Sequence, residues 1–155
     1  MALIELETFV AAPAERCLDL SLSVELHLDS TAATHERAVA GKTSGVLALG
    51  DRVTWRARHF WLPLRLSVRI TRHDRPRSFR DEMLHGPLRR MRHDHFFQEV
   101  DGGTVMTDQF EFAVLPLLDS VLLTPHFRKL LVRRNDLIKQ AAEGDASRYE
   151  ATPIQ

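Results

Sequence analysis

The sequence predicts an α+β fold in which a curved antiparallel sheet of about seven strands wraps around a long C-terminal helix, with two short helices after the first strand. Three observations predict it. Between residues 36 and 115 the chain alternates apolar and polar residues in strand-length segments separated by turn residues. After about residue 125 the apolar residues fall at 127, 130, 131, 137, 138 and 141, the stripe of an amphipathic helix. Strands joined by short turns pair antiparallel, and one apolar sheet face matches that helical stripe, so the simplest packing puts the helix inside the curve of the sheet.

The elements follow in order. "ALIELETFV" sets Leu3, Glu5, Glu7 and Phe9 against Ile4, Leu6, Thr8 and Val10, a strand. Pro13 suits a first helical turn, Ala14 to Leu20 are helix formers, and "SVELHL" reads as a second short helix after a break or cap at Ser21 to Ser23. "ERAVAGKTSG" is a short strand ending in glycine, and "GDRVTWRARHF" starts after a Gly-Asp turn. "LRLSVRITRHD" points Leu64, Leu66, Val68 and Ile70 inward and Arg65, Ser67, Arg69 and Thr71 outward. "RPRSFRDEMLHG", "RRMRHDHFFQEV" and "TVMTDQFEFAVL" complete the sheet, the last two joined at Asp101-Gly102-Gly103. A short helix is expected after Pro116, then a break at Thr124-Pro125, then the long helix from near Pro125. The chain reads as one domain over 1–155, with a polar tail from Gly144 expected to fray.

Composition narrows the function. Hydrophobic residues make up 44% and charged residues 27%, ordinary globular values, and the formal net charge is zero. Broad attraction to nucleic acid is therefore not expected. The basic run Arg128, Lys129, Arg133 and Arg134 has no aromatic stacking platform beside it. One cysteine, Cys17, allows neither an intrachain disulfide nor a multi-cysteine zinc site, and reads as a small buried hydrophobe. No apolar run approaches the roughly 20 residues of a membrane span. "MALIELETFV" is acidic where a signal peptide is basic, so a cytoplasmic protein is expected.

The chain resembles the SRPBCC superfamily, also called START-like or Bet v 1-like. The residues that carry the resemblance are "FVAAPAERCLDL", "ERAVAGKTSGVLALGDRVTWRARHF", "ITRHDRPRSFRDEM" and "RMRHDHFFQEVDGGTVMTDQFEF". It covers residues 3–143 and is most similar to small bacterial polyketide cyclase/dehydrase-like proteins. The resemblance implies the helix-grip fold and a deep cavity between sheet and terminal helix where apolar small molecules bind. It does not select an activity, since the superfamily includes lipid carriers, hormone receptors and cyclases.

Which residues face that cavity follows from strand parity. Met91, His93, His95 and Phe97 share one face. With Gly102-Gly103 as a two-residue loop, Phe97 pairs with Asp108, His95 with Phe110 and His93 with Phe112. A turn near His85 to Pro87 brings Asp81 opposite His93, with Phe79 and Met83 on the same face. The expected lining is an apolar wall of Trp55, Met83, Met91, Phe97, Phe110 and Phe112 around a polar cluster of Asp81, His93, His95 and Asp108. Such groups are costly to bury unpaired, so the cluster calls for Asp–His pairing, water or a polar ligand group. Arg134, near the helix's apolar stripe, either snorkels at the core edge or reaches in to pair with Asp81, Asp108 or an anionic ligand.

The expected function is binding of a hydrophobic or aromatic small molecule, oriented by the polar cluster. The alternative is a cyclase/dehydratase-type enzyme with Asp81 and His93 as acid and base. A third reading is a protein-interaction module with a collapsed cavity. His93 and His95 could ligate a metal with Asp108, but His-x-His is a short signal without a well-placed third histidine, and no metal or cofactor is expected. The apolar turn Phe60, Trp61, Leu62 and Pro63 suits a cavity lid, a homodimer contact or plain packing.

Overall fold

The computed structural model describes residues 1–114 and 122–150. Strand β1 (Ala2–Val10) leads into helices α1 (Ala14–Ser21) and α2 (Val24–Ser30) and a 3-10 turn at Ala32–Thr34. Strands β2 (Arg37–Gly41), β3 (Arg52–His59), β4 (Leu62–Asp74), β5 (Ser78–His85), β6 (Arg90–Val100) and β7 (Gly103–Ala113) follow, and helix α3 (Thr124–Glu143) is the last element of the described residues. The short helix expected after Pro116 falls mainly outside the described residues. The strands form a seven-stranded antiparallel sheet in the order β1-β7-β6-β5-β4-β3-β2. No helix of the described residues is long and apolar enough to cross a membrane.

The core lies between the concave sheet face and the helices. Ile4 and Phe112 from the sheet, Leu18 from α1 and Ile138 from α3 are all fully buried in it. Cys17 is buried there as well, as expected. The break between α1 and α2 is a cap: the Ser23 hydroxyl accepts from the Leu26 amide at 3.3 Å, satisfying one of the helix's orphan donors. Ser23→Ala is expected to lower stability by about 1 kcal/mol, read as a reduced urea midpoint with unchanged slope.

Two turns decide what the site looks like. Between β6 and β7 the loop is Asp101-Gly102, and Val100 pairs with Gly103. This differs from the expected Gly102-Gly103 loop and shifts every partner by two residues. A shift of two keeps each side chain on its face but changes its neighbour. His95 now faces Asp108, His93 faces Phe110 and Met91 faces Phe112. Gly103 is the physical reason: a Cβ there would sit 2.2 Å from the Val10 carbonyl oxygen, so glycine is needed inside the ladder beside β1. Gly102, at φ +82°, supplies the left-handed turn position.

Between β3 and β4 the loop is Phe60-Trp61, with φ values of +49° and +69°. Hairpin turns of this kind favour Asn-Gly. Two bulky aromatics in the left-handed region cost on the order of 1–3 kcal/mol each.

The tail departs from expectation. Instead of fraying from Gly144, it is pinned as far as residue 150. Arg16 on α1 donates to the carbonyls of Ala142 at 2.9 Å and Gly144 at 3.1 Å, satisfying groups at the C-terminal end of α3. Ala146 is buried, and the Tyr149 hydroxyl donates to Asp29 at 2.8 Å.

Candidate functional site

The sheet, α2 and α3 enclose a cavity of about 160 Å³ that opens partly to solvent. Its walls are mostly apolar: Trp55 from β3, Leu66, Val68 and Ile70 from β4, Phe79 from β5, Met91 from β6, Phe110 from β7, and Phe127, Leu130 and Leu131 from α3. Asp81, His93, His95 and Arg134 project into it from β5, β6 and α3. Of the residues expected to line it, Met83, Phe97, Asp108 and Phe112 do not. Phe112 is fully buried and packs edge-on against Phe127. Met83 packs against the core beside β4, where the β4–β5 pairing is bulged. Phe97 and Asp108 lie behind the histidines, near Met106 and Asn135.

That position makes Asp108 the organiser of the cluster. Its Oδ1 lies 2.8 Å from His93 Nε2 and 3.0 Å from His95 Nδ1, and its Oδ2 accepts from Asn135 Nδ2 at 2.6 Å. The Arg134 guanidinium stands 3.6 Å away and also donates to the Ser21 carbonyl at 3.1 Å. His95 turns its other nitrogen, Nε2, to Asp81 at 2.9 Å. The expected Asp81–His93 dyad is therefore corrected. The two face each other in the ladder, but Asp81 bonds His95 and His93 bonds Asp108. The changed β6–β7 register is the cause, because it puts Asp108 between the two rings. Arg134 takes the inward alternative, within ion-pair distance of Asp108.

The electrostatics follow from burial and pairing. Burial alone pushes the Asp108 carboxyl up, but the hydrogen bonds and charges of His93 and His95 outweigh it and hold it well below the usual carboxylate range. Burial likewise opposes ionisation of Asp81, and the His95 bond, the two imidazoles and Arg134 reverse the balance, leaving it lowered. His93 goes the other way: burial and the neighbouring His95 lower it, against the pull of Asp108 and Asp81. An ionised carboxylate only accepts, so Nε2 of His93 carries the hydrogen and, in the neutral ring, Nδ1 is left as an acceptor. No described residue hydrogen-bonds that Nδ1.

Asp81, His93 and His95 each offer one ligand atom, and these atoms lie within 4.8 Å of one another. Among the described residues they are the set that could hold a cation, with Asp108 behind both imidazoles. A cation there would replace the Asp81–His95 hydrogen bond and sit near the Arg134 charge.

Sequence reasoning missed a second polar group in the same cavity. His27 on α2 stacks on Trp55 with centroids 4.1 Å apart, and its Nε2 meets Glu36 at 2.5 Å. His59 at the end of β3 lines the cavity and contacts His126 Nε2 on α3 at 2.9 Å. Only His59 carried a signal: it continues the inward parity of Val53, Trp55 and Ala57.

Neither a protein-family model nor a curated protein sequence matches the chain. Solved structures do. TTHA0849 from Thermus thermophilus superposes with a TM-score of 0.70 at 16% identity, over 91% of this chain and 99% of that one. Ginseng major latex-like protein 151 from Panax ginseng gives 0.69 at 12% identity, over 92% and 98%. Ara h 8.0201 gives 0.64 at 15% identity, over 88% and 97%. The chain has the helix-grip, Bet v 1-like fold. In the terms of that fold, α3 is the gripped helix, and the cavity lies between it and the concave sheet. At these identities the likeness speaks for the fold alone.

Proposed function

We propose that this helix-grip protein binds a hydrophobic or aromatic small molecule in the cavity, oriented by a hydrogen bond from the ligand to His93 Nδ1. The observation that carries the reading is that His93 Nδ1, on a cavity whose walls are mostly apolar, accepts from no described residue. A cavity of about 160 Å³ is of the size that admits a benzene-like ring in a packed interior, and its partial opening lets a longer ligand protrude. Because the open atom accepts, the ligand class is one with a donor, such as a phenol or another ring-bound hydroxyl. A cavity this large weighs against the collapsed interaction module. The single buried cysteine is in keeping with a reducing, cytoplasmic setting.

The test is calorimetric titration with 2-naphthol and with naphthalene. The hydroxyl should tighten binding about tenfold, and His93→Phe should remove that difference while circular dichroism stays unchanged. Equal affinities for both probes in the wild type would overturn the reading. Native mass spectrometry of the freshly purified protein addresses the natural ligand.

One observation favours a second reading, a cyclase/dehydratase-type enzyme. Asp108 holds His93 in one tautomer with a neutral ring, the arrangement of a general base. The base is then His93 with Asp108 as its positioning partner, in place of the Asp81–His93 pair. Turnover that falls on the acidic side with His93's titration, and drops in Asp108→Asn, distinguishes it from binding alone.

A further inference from the structure

We propose that the β3–β4 hairpin is a docking element for an anionic lipid bilayer, placing the rim of the cavity against the membrane. Two independent features of one hairpin carry this. The first is its outer face. Arg52 pairs across the ladder with Arg69, and Arg56 with Arg65, while Arg37 on β2 is the other neighbour of Arg56. Like charges directly opposite are destabilising in a sheet. All five are exposed, and none forms a salt bridge among the described residues. The acidic residue in register with the group is Glu82, across from Arg69. The chain as a whole is neutral, so this is a local concentration of positive charge, faced in the ladder by Glu82 and without salt bridges among the described residues.

The second feature is the tip. Trp61 is 95% exposed and Leu62 is 61% exposed, with Phe60 half-exposed beside them. The turn holds its two aromatics in left-handed backbone, where Asn-Gly would sit without strain. Aromatic and aliphatic side chains projecting beyond a cluster of arginines match the boundary between acyl chains and anionic headgroups. The tip also adjoins the cavity: His59, at its base, lines it, and the Phe60 ring lies 4.7 Å from that of His126. A nucleic acid is less well matched, because the aromatics stand at the tip and leave no stacking platform on the arginine face. The inference does not depend on what the cavity binds.

The test is co-sedimentation with vesicles of phosphatidylcholine alone and of phosphatidylcholine with 30% phosphatidylglycerol, at 50 mM and 500 mM salt. The wild type should bind the anionic vesicles at least tenfold more tightly at low salt and lose most of that binding at high salt. The double variant F60N/W61G puts a favoured turn in place of a strained one. It should melt no lower than the wild type yet lose vesicle binding, so misfolding cannot account for the loss. R56E/R65E should remove the preference for anionic lipid. Equal binding to both vesicle types, no binding to either, or undiminished binding by F60N/W61G would overturn the proposal. So would light scattering that shows a dimer dispersed by F60N/W61G without vesicle association, or tighter binding to single-stranded RNA than to vesicles.

Discussion

Asp108→Ala is expected to cost about 3–5 kcal/mol of folding stability, the range for removing one partner of a buried charge network. The carboxylate is nearly inaccessible and serves His93, His95 and Asn135 at 2.8, 3.0 and 2.6 Å, with Arg134 alongside. Removing it leaves the His93 Nε2 hydrogen buried without an acceptor, leaves the Asn135 amide with Thr8 Oγ1 at 3.3 Å as its acceptor, and takes away the charge facing Arg134. Asp108→Asn keeps one acceptor oxygen and should cost less. Urea unfolding measures both, and a loss below about 1 kcal/mol for the alanine variant would mean that the network contributes little. In a double-mutant cycle, Asp108→Ala and His93→Phe should be strongly non-additive, because the second change removes the donor that the first leaves orphaned.

The second large effect is acid sensitivity. His93 and His59 are both lowered from the ordinary value near 6.5, chiefly by burial. Below that value the unfolded chain takes up their protons while the folded chain still excludes them. Stability is therefore complete above about pH 6.5 and falls as the pH drops toward the folded values, by as much as roughly 1.4 kcal/mol per pH unit for each group. Asp81 and Asp108 are lowered from 3.8, which extends the loss in the same direction. Their unfolded forms protonate near 3.8 while the native carboxylates remain ionised, so their contribution is present above that value and disappears below it. Urea midpoints should fall from pH 8 to pH 5 and again below pH 4. His93→Gln, which keeps a donor for Asp108 but does not titrate, should flatten the first part of the curve. Midpoints that rise on acidification would contradict the burial of these groups.

Much of this was legible before any coordinates, because period-two alternation assigns faces without knowledge of partners. Parity puts Trp55, Asp81, Met91, His93, His95 and Phe110 on the inner face, the resemblance implies a cavity on that side, and all six line it. Partners were harder, because they depend on one loop residue. Asp101-Gly102 and Gly102-Gly103 are both acceptable hairpin loops, and only the approach of Val10 to Gly103 selects between them. That approach comes from a strand more than 90 residues earlier in the chain. The same register decides whether His93 bonds Asp81 or Asp108. His27 and Glu36 were invisible for a related reason: they lie on a helix and in a connection, and only closure of the fold brings them to Trp55. Parity also says nothing about depth, so Phe97 and Phe112, correctly facing inward, ended in solid core rather than at the cavity wall.

The place of β1 at one end of the strand order has a consequence for biosynthesis. Its single neighbour in the sheet is β7, with Ala2 opposite Phe112. On the ribosome, this strand must therefore wait until about a hundred more residues have been translated before its partner exists, on the order of ten seconds at ordinary elongation rates. Glu5 and Glu7, projecting from the otherwise apolar ribbon, give the nascent segment charge during that interval and discourage it from adhering to another exposed strand.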